Sequence, residues 1–317
     1  MKGLKKGLLI GLVVAAIIVI FILLPTSDDI NKKIGEGEIQ FTPEDTMNTL
    51  QFKIEKMKAE IAKNGDKFEV GINSLVQYST EQLCRFRPDM KPKDASAHEN
   101  KGPKPAPGAE GLPGSYPGFY TPAKDQGGDG ASWAYAMVAE LEGLIKKQTD
   151  SDVVLSEKYL VDCNTEGYTA KGGGVCFDMF MAPHGGVLEM DYPCPGGNCN
   201  NCKYTYKISD WGYVGSSSSV PSVEAIKNAI YTYGTVVAGV CADVYFQSYT
   251  GGCYTRNNKN TVNHSVVLYG WNDTTPCETG GWNLKNSWGL GWGIEGNMNI
   301  KYGVSSIGYA ACFAVYP

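Results

Sequence analysis

Gln126-Gly127-Gly128-Asp129-Gly130-Ala131-Ser132-Trp133-Ala134-Tyr135 is the stretch on which the reading of this chain turns. A glycine-rich approach leads to a small hydroxyl residue and then to an apolar run. Ala134, Val138, Leu141, Leu144 and Ile145 recur at helical spacing, and Lys146 and Lys147 fall in the last turn, which predicts a helix from Ala131 to Lys147. Ser132 then stands at a helix N-terminus, where free backbone N–H groups and the macrodipole favour a developing anion. By itself the pattern describes an ordinary serine N-cap.

Two later segments add to it. Asn263-His264-Ser265-Val266 opens one apolar strand, and Lys285-Asn286-Ser287-Trp288-Gly289 ends the next. In this order, with Gln126 and Gly130 to Ala134 ahead of them, these segments resemble the papain family of cysteine proteases, whose local signature is C-G-[SA]-C-[WY]. The resemblance runs from Thr121 to the end of the chain. It implies an α+β, two-lobed papain-like fold over residues 119–317, with a helical first lobe and an antiparallel β-barrel-like second lobe. Carried over by position, Ser132 takes the nucleophile site, His264 the general base, Asn286 the group that orients the imidazole, and Gln126 an oxyanion donor. Gly173 and Gly174 take the place where an extended substrate backbone passes, a task that leaves no room for a Cβ. Trp288 covers the His264 to Asn286 hydrogen bond, with Trp292 nearby.

The chain departs from the family at the nucleophile and at two further positions. Asp129 stands for the first cysteine of the signature, Ser132 for the nucleophilic one, and Lys171 for the cysteine that bonds to the first. Opposite charges replacing a lost disulfide predict an ion pair between Asp129 and Lys171. The resemblance also implies a disulfide between Cys163 and Cys202.

Serine for cysteine changes the chemistry. A papain-type thiol ionises with a pKa of about 3–4 and forms a thiolate–imidazolium pair before substrate arrives. A hydroxyl stays protonated, so His264 must remove its proton during attack and then carry the charge. Serine triads stabilise that charge with a carboxylate, whose replacement by an amide lowers kcat by about 10⁴. Asn286 is already an amide. Near-silence as a peptidase is expected, which points to a pseudoprotease whose cleft holds a peptide or protein ligand, or to a component of a luminal assembly. The alternative is an active hydrolase using Ser132 with His264 and Asn286, since base, orienting amide and oxyanion donor are all present.

Upstream, residues 7–24 form an uncharged apolar run behind Lys2, Lys5 and Lys6. As a helix it reaches about 27 Å, enough to span a hydrocarbon core. Residues 1–27 are read as a cytoplasmic stub and signal-anchor, which puts the body in a lumen or outside; a cleaved signal peptide, leaving a secreted or lysosomal protein, is the alternative. Export suits ten cysteines. Residues 28–85 read as a prosegment-like helical region, with a helix over 44–64. Gly71, Asn73, Leu75 and Gln77 follow the family prosegment pattern G-x-N-x-F-x-D, departing from it at the last two. A small helical subdomain that stays in place is the other reading. Residues 86–118, with seven prolines among Lys, Gly and Ala, are expected to be an unordered linker that leaves His98 in solvent.

A net charge of −5 argues against nucleic acid as a partner. No cofactor is expected, and no metal: Cys194, Cys199 and Cys202 lack a fourth ligand for a zinc knuckle. His184 follows a helix end and is given a structural role. A helix is predicted over 220–234 and strands over 235–240, 265–270 and 281–286. Asn272-Asp273-Thr274 is a glycosylation sequon on a loop, whereas a glycan on Asn263 would block the cleft.

Overall fold

A computed structural model describes residues 39–103, 111–175 and 177–317. The apolar run at 7–24 lies outside the described residues, and among those described no helix is long and apolar enough to cross a membrane. The longer helices are α1 (Met47–Asn64), α2 (Ser132–Thr149), α3 (Glu157–Cys163) and α4 (Val223–Tyr233). The strands are β1 (Lys67–Val70), β2 (Ser115–Tyr116), β3 (Gly186–Val187), β4 (Tyr204–Tyr206), β5 (Asp210–Tyr213), β6 (Val236–Val240), β7 (Tyr249–Tyr254), β8 (His264–Asn272), β9 (Gly281–Lys285), β10 (Asn297–Lys301) and β11 (Tyr309–Val315).

α1 is set at both ends by local chemistry. The Thr46 side chain accepts from the Thr49 N–H, and Gly65 closes the helix at φ 72°, where a side chain would be strained. Its buried face carries Leu50, Ile54, Met57 and Ile61 at three- and four-residue spacing. Each such side chain contributes roughly 1.5–3 kcal/mol on burial, before the cost of ordering the chain. α2 begins at Ser132 behind Ala131, which makes no side-chain cap, and ends at Asp150 in the left-handed region.

The main sheet runs β1-β7-β10-β9-β8-β6-β11-β5, with β2 added against β8, and β3 pairs separately with β4. Neighbours are antiparallel except β7 and β10. Among the described residues no pairing joins β1 to β5, so the path is open at its two ends. Side chains alternate between two cores with the period of two that a strand imposes. Val236, Ala238, Val240, Val266 and Leu268 face one core, which they share with Leu50, Ile54 and Met57 of α1. Val237 and Val267 face the other, beneath Trp133, Met137 and Leu141 of α2. Burial on both faces explains why these strands read as unbroken apolar runs. Since β1 adds an edge to this sheet and α1 shares its core, residues 47–70 are built into the body.

Several expectations are corrected here. Residues 86–103 are ordered: Phe86, Ala95 and His98 are buried. The Asn100 and Lys101 N–H groups donate to the carbonyls of Gly215 and Tyr213. His98 is therefore not in solvent; its ring stacks on Trp211 at 3.8 Å between centroids. Composition misled because the segment leans on an existing surface and needs no core of its own. Cys163 bonds to Cys199, and Cys194 to Cys202. Tight turns over Pro195–Gly197 and Cys199–Asn201 bring Cys194 and Cys202 together and present Cys199 to α3. The pairing of Cys163 with Cys202 is thus overturned. Cys253 bonds to Cys277, while Cys84, Cys241 and Cys312 are buried and unbonded. His184 rests edge-on against Tyr204, in keeping with a structural role.

Candidate active site

The fold brings Ser132, His264, Asn286, Gln126 and Trp288 together, and all five are buried. Ser132 is the first helical residue of α2, and its Oγ accepts from the Ser265 N–H at 3.4 Å. The hydroxyl is thus turned to β8 and is not the helix cap. His264 opens β8 and Asn286 follows the end of β9, its neighbour in the sheet, so pairing of these strands sets the two side chains side by side. His264 Nε2 lies 2.7 Å from Asn286 Oδ1. An amide oxygen only accepts, so Nε2 carries the proton and Nδ1 of the neutral ring keeps its lone pair. That Nδ1 is buried without a hydrogen-bond partner. The Ser287 N–H also donates to Asn286 Oδ1, at 2.8 Å, which fixes the amide.

Trp288 lies 4.5 Å from the imidazole, ring centre to ring centre, with Phe246 edge-on to both rings and Trp292 edge-on to Trp288. This aromatic cover excludes water. Burial holds the His264 pKa down to about 4, against a smaller upward pull from the Asn286 hydrogen bond. The ring is therefore neutral across the physiological range.

A cluster of charges lies across the sheet, where Lys285 pairs with Val267 on the face that α2 covers. Lys124 pairs with Glu142 and Glu157, each at 2.8 Å, and Lys285 approaches Glu142 at 3.9 Å. Thr121 donates to Glu142 Oε2, and the Leu155 N–H to Glu142 Oε1. Burial pushes Glu157 up to about 7 despite the pull of Lys124, and pushes Lys285 down to about 8 despite Glu142.

Gln126 is anchored by Ser287, whose hydroxyl donates to its Oε1 at 2.6 Å. Its Nε2 donates to the carbonyls of Leu83 and Asp129. Leu83 introduces what the sequence did not show: residues 83–90 form a strap lying through the site. The Phe86 N–H donates to the Asn263 carbonyl at 2.9 Å, and the Arg87 N–H to the Gly173 carbonyl at 3.0 Å. Phe86 pairs with Gly173 in the parallel sense. The glycines earn their place here, since a Cβ on Gly174 would run into the Met90 carbonyl and one on Gly173 into the Trp133 ring. Only the aromatic Phe86 between two arginines hinted at the strap, and nothing in its composition marks a cleft filler.

Asp129 and Lys171 form no ion pair within 4.0 Å, which corrects that expectation. The strap supplies the reason. The Arg85 side chain covers Gly130, and its carbonyl approaches Gly172, so the strap passes between the two neighbourhoods. At the sequons, both ends of the Asn263 amide are bonded to Ala242, while Asn272 sits partly exposed at the end of β8.

Residues 116–316 match the family model described as papain family cysteine protease. The chain is 33% identical over 204 residues to Cathepsin K of Mus musculus, a match covering 60% of this chain and 60% of the mouse protein. It is 32% identical over 196 residues to Zingipain-2 of Zingiber officinale, covering 60% of this chain and 86% of that protein. It thus spans less than two thirds of the mouse relative. In fold it is similar to the digestive procathepsin L2 proteinase from the larval midgut of Tenebrio molitor, with a TM-score of 0.69 at 22% identity, covering 91% of this chain and 98% of that one.

Proposed function

We propose, for a chain that belongs to the papain family of cysteine proteases, a membrane-tethered pseudoprotease: Ser132 stands at the nucleophile position, and the cleft is a peptide-binding groove filled by the chain's own strap. The carrying observation is the buried, unpartnered Nδ1 of His264, while the Ser132 hydroxyl accepts from the Ser265 N–H. No hydrogen bond joins nucleophile to base, and the base is buried and neutral. Taking the serine proton would create an imidazolium that burial disfavours; at about 1.4 kcal/mol per pKa unit, a fall from 6.5 to about 4 adds on the order of 3 kcal/mol to that step. Asn286 offers only an amide dipole to offset it. The tether is residues 7–24, which leaves the body in a lumen or outside. In this reading residues 28–85 are a prosegment that remains, 86–118 its connection, and 119–317 the peptidase-like domain.

A second reading rests on the His264 to Asn286 bond, which holds the tautomer a general base needs. On that reading Ser132 is a working nucleophile. Labelling by a fluorophosphonate of the full chain with the strap loosened by Phe86→Ala separates the two. The pseudoprotease predicts none, with Ser132 as with Ser132→Ala; labelling lost in Ser132→Ala decides for the hydrolase.

A further inference from the structure

Downstream of the cleft the strap is held by a group of side chains that the peptidase reading does not use. Asp94, His98 and Asp178 each offer one ligand atom, and these atoms lie within 4.8 Å of one another. Asp94 and His98 follow the strap, on the stretch that carries it on towards Lys101; Asp178 belongs to the body. His98 is buried, and its Nδ1 lies 2.9 Å from the Trp211 carbonyl, which only accepts, so Nδ1 carries a proton. In the neutral ring Nε2 is then a bare lone pair. It faces Asp94 Oδ2 at 3.2 Å, and two acceptors at that spacing repel unless a cation lies between them or the ring is protonated.

Trp211 orients the group from behind. Its carbonyl takes the Nδ1 proton, its ring stacks on the imidazole within 9° of parallel, and its Nε1–H donates to Asp178 Oδ1 at 2.9 Å. A histidine whose far nitrogen donates to a backbone carbonyl, beside a hydrogen-bonded carboxylate, is the outer-shell arrangement that fixes metal ligands. Lys101 does not neutralise the carboxylates of this group through His98: its Nζ lies 3.3 Å from Nδ1, on the opposite edge of the ring from Nε2, and bonds to Asp210 and the Trp211 carbonyl. One imidazole and two carboxylates suit a borderline divalent ion. Two ligands at about 2.0–2.1 Å on a tetrahedral zinc stand roughly 3.3 Å apart, near the His98 to Asp94 spacing.

We propose that Asp94, His98 and Asp178 form a divalent transition-metal site, best suited to Zn²⁺ with water completing its coordination, which clasps the strap to the body. The ion ties the connection itself, just after the strap, to the body, so the strap stays over the cleft while metal is bound. This departs from the expectation of no metal, which looked only to the cysteines.

The test is titration of the metal-stripped full chain with Co²⁺, read by its ligand-field absorption, and displacement by Zn²⁺. One saturable site is expected, weakened at least roughly tenfold in Asp178→Asn and in His98→Ala, and unchanged in His184→Ala. Asp178→Asn keeps an oxygen to accept from Trp211, so it reports on the site should His98→Ala fail to fold. No saturable binding by the wild type, or binding indifferent to both variants, overturns the proposal and leaves His98 as an imidazolium paired with Asp94.

Discussion

Gln126 Nε2 donates to the carbonyl of Leu83 at 3.0 Å. The side chain carried over as an oxyanion donor is thus already engaged by a carbonyl of the chain itself. Phe86 continues this engagement by pairing with Gly173 in the parallel sense, and the same segment reaches Asn263 and Met90 reaches the Tyr168 hydroxyl.

Phe86 is the apolar anchor of the strap. Phe86→Ala removes a buried ring, at a cost to docking of roughly 3–5 kcal/mol. Hydrogen exchange at position 86 and at Arg87 should accelerate, with β6 and β8 unchanged. Equal loss of protection throughout the sheet would mean that the strap and the body open as one unit.

His264 contributes to stability with a definite sign. Its folded pKa of about 4 lies below the ordinary 6.5, so between these values the unfolded chain binds the proton and the native one does not. This contribution is complete above pH 6.5 and is lost as pH falls through 4, on the order of 3 kcal/mol in all. An NMR titration of the His264 ring should give a midpoint near 4. A midpoint near the ordinary value would show that water reaches the ring.

Glu140 acts in the opposite direction. Burial raises its pKa from 4.5 to about 8, and its Oε2 has no partner, while Oε1 accepts from Ala314. Stability from the neutral acid is present below pH 4.5 and is lost as pH rises through 8. Glu140→Gln keeps the Ala314 bond and cannot ionise, so denaturation at pH 8 should show it more stable than wild type by a few kcal/mol, at about 1.4 kcal/mol per pKa unit. The difference should vanish near pH 4.5.

Glu142 is the carboxylate between two lysines. Glu142→Ala strands Lys285 in the interior and removes a partner of Lys124. Breaking a buried pair from one side costs about 3–5 kcal/mol, to be read from urea denaturation. Glu142→Ala combined with Lys285→Met should recover part of the loss.

Much of this was legible in the sequence because the signals are local. The period of α1 and of α2, the apolar runs of β6 and β8, and the short segments holding Gln126, Ser132, His264, Asn286 and Trp288 each depend on neighbours a few residues away. The strap was hidden because backbone groups hold it: the Phe86 and Arg87 N–H groups carry no sequence mark, and a proline-rich composition conceals a segment that leans on a finished surface. The Cys163 partner and the Asp129 to Lys171 pair failed for the same reason, since turn geometry and the course of Arg85 decide them.

The most direct measurement is peptide hydrolysis by the full chain with the strap loosened by Phe86→Ala, comparing Ser132 with Ser132→Cys. The account predicts no turnover with serine and measurable turnover with cysteine. Comparable turnover with serine, abolished in Ser132→Ala, would contradict it.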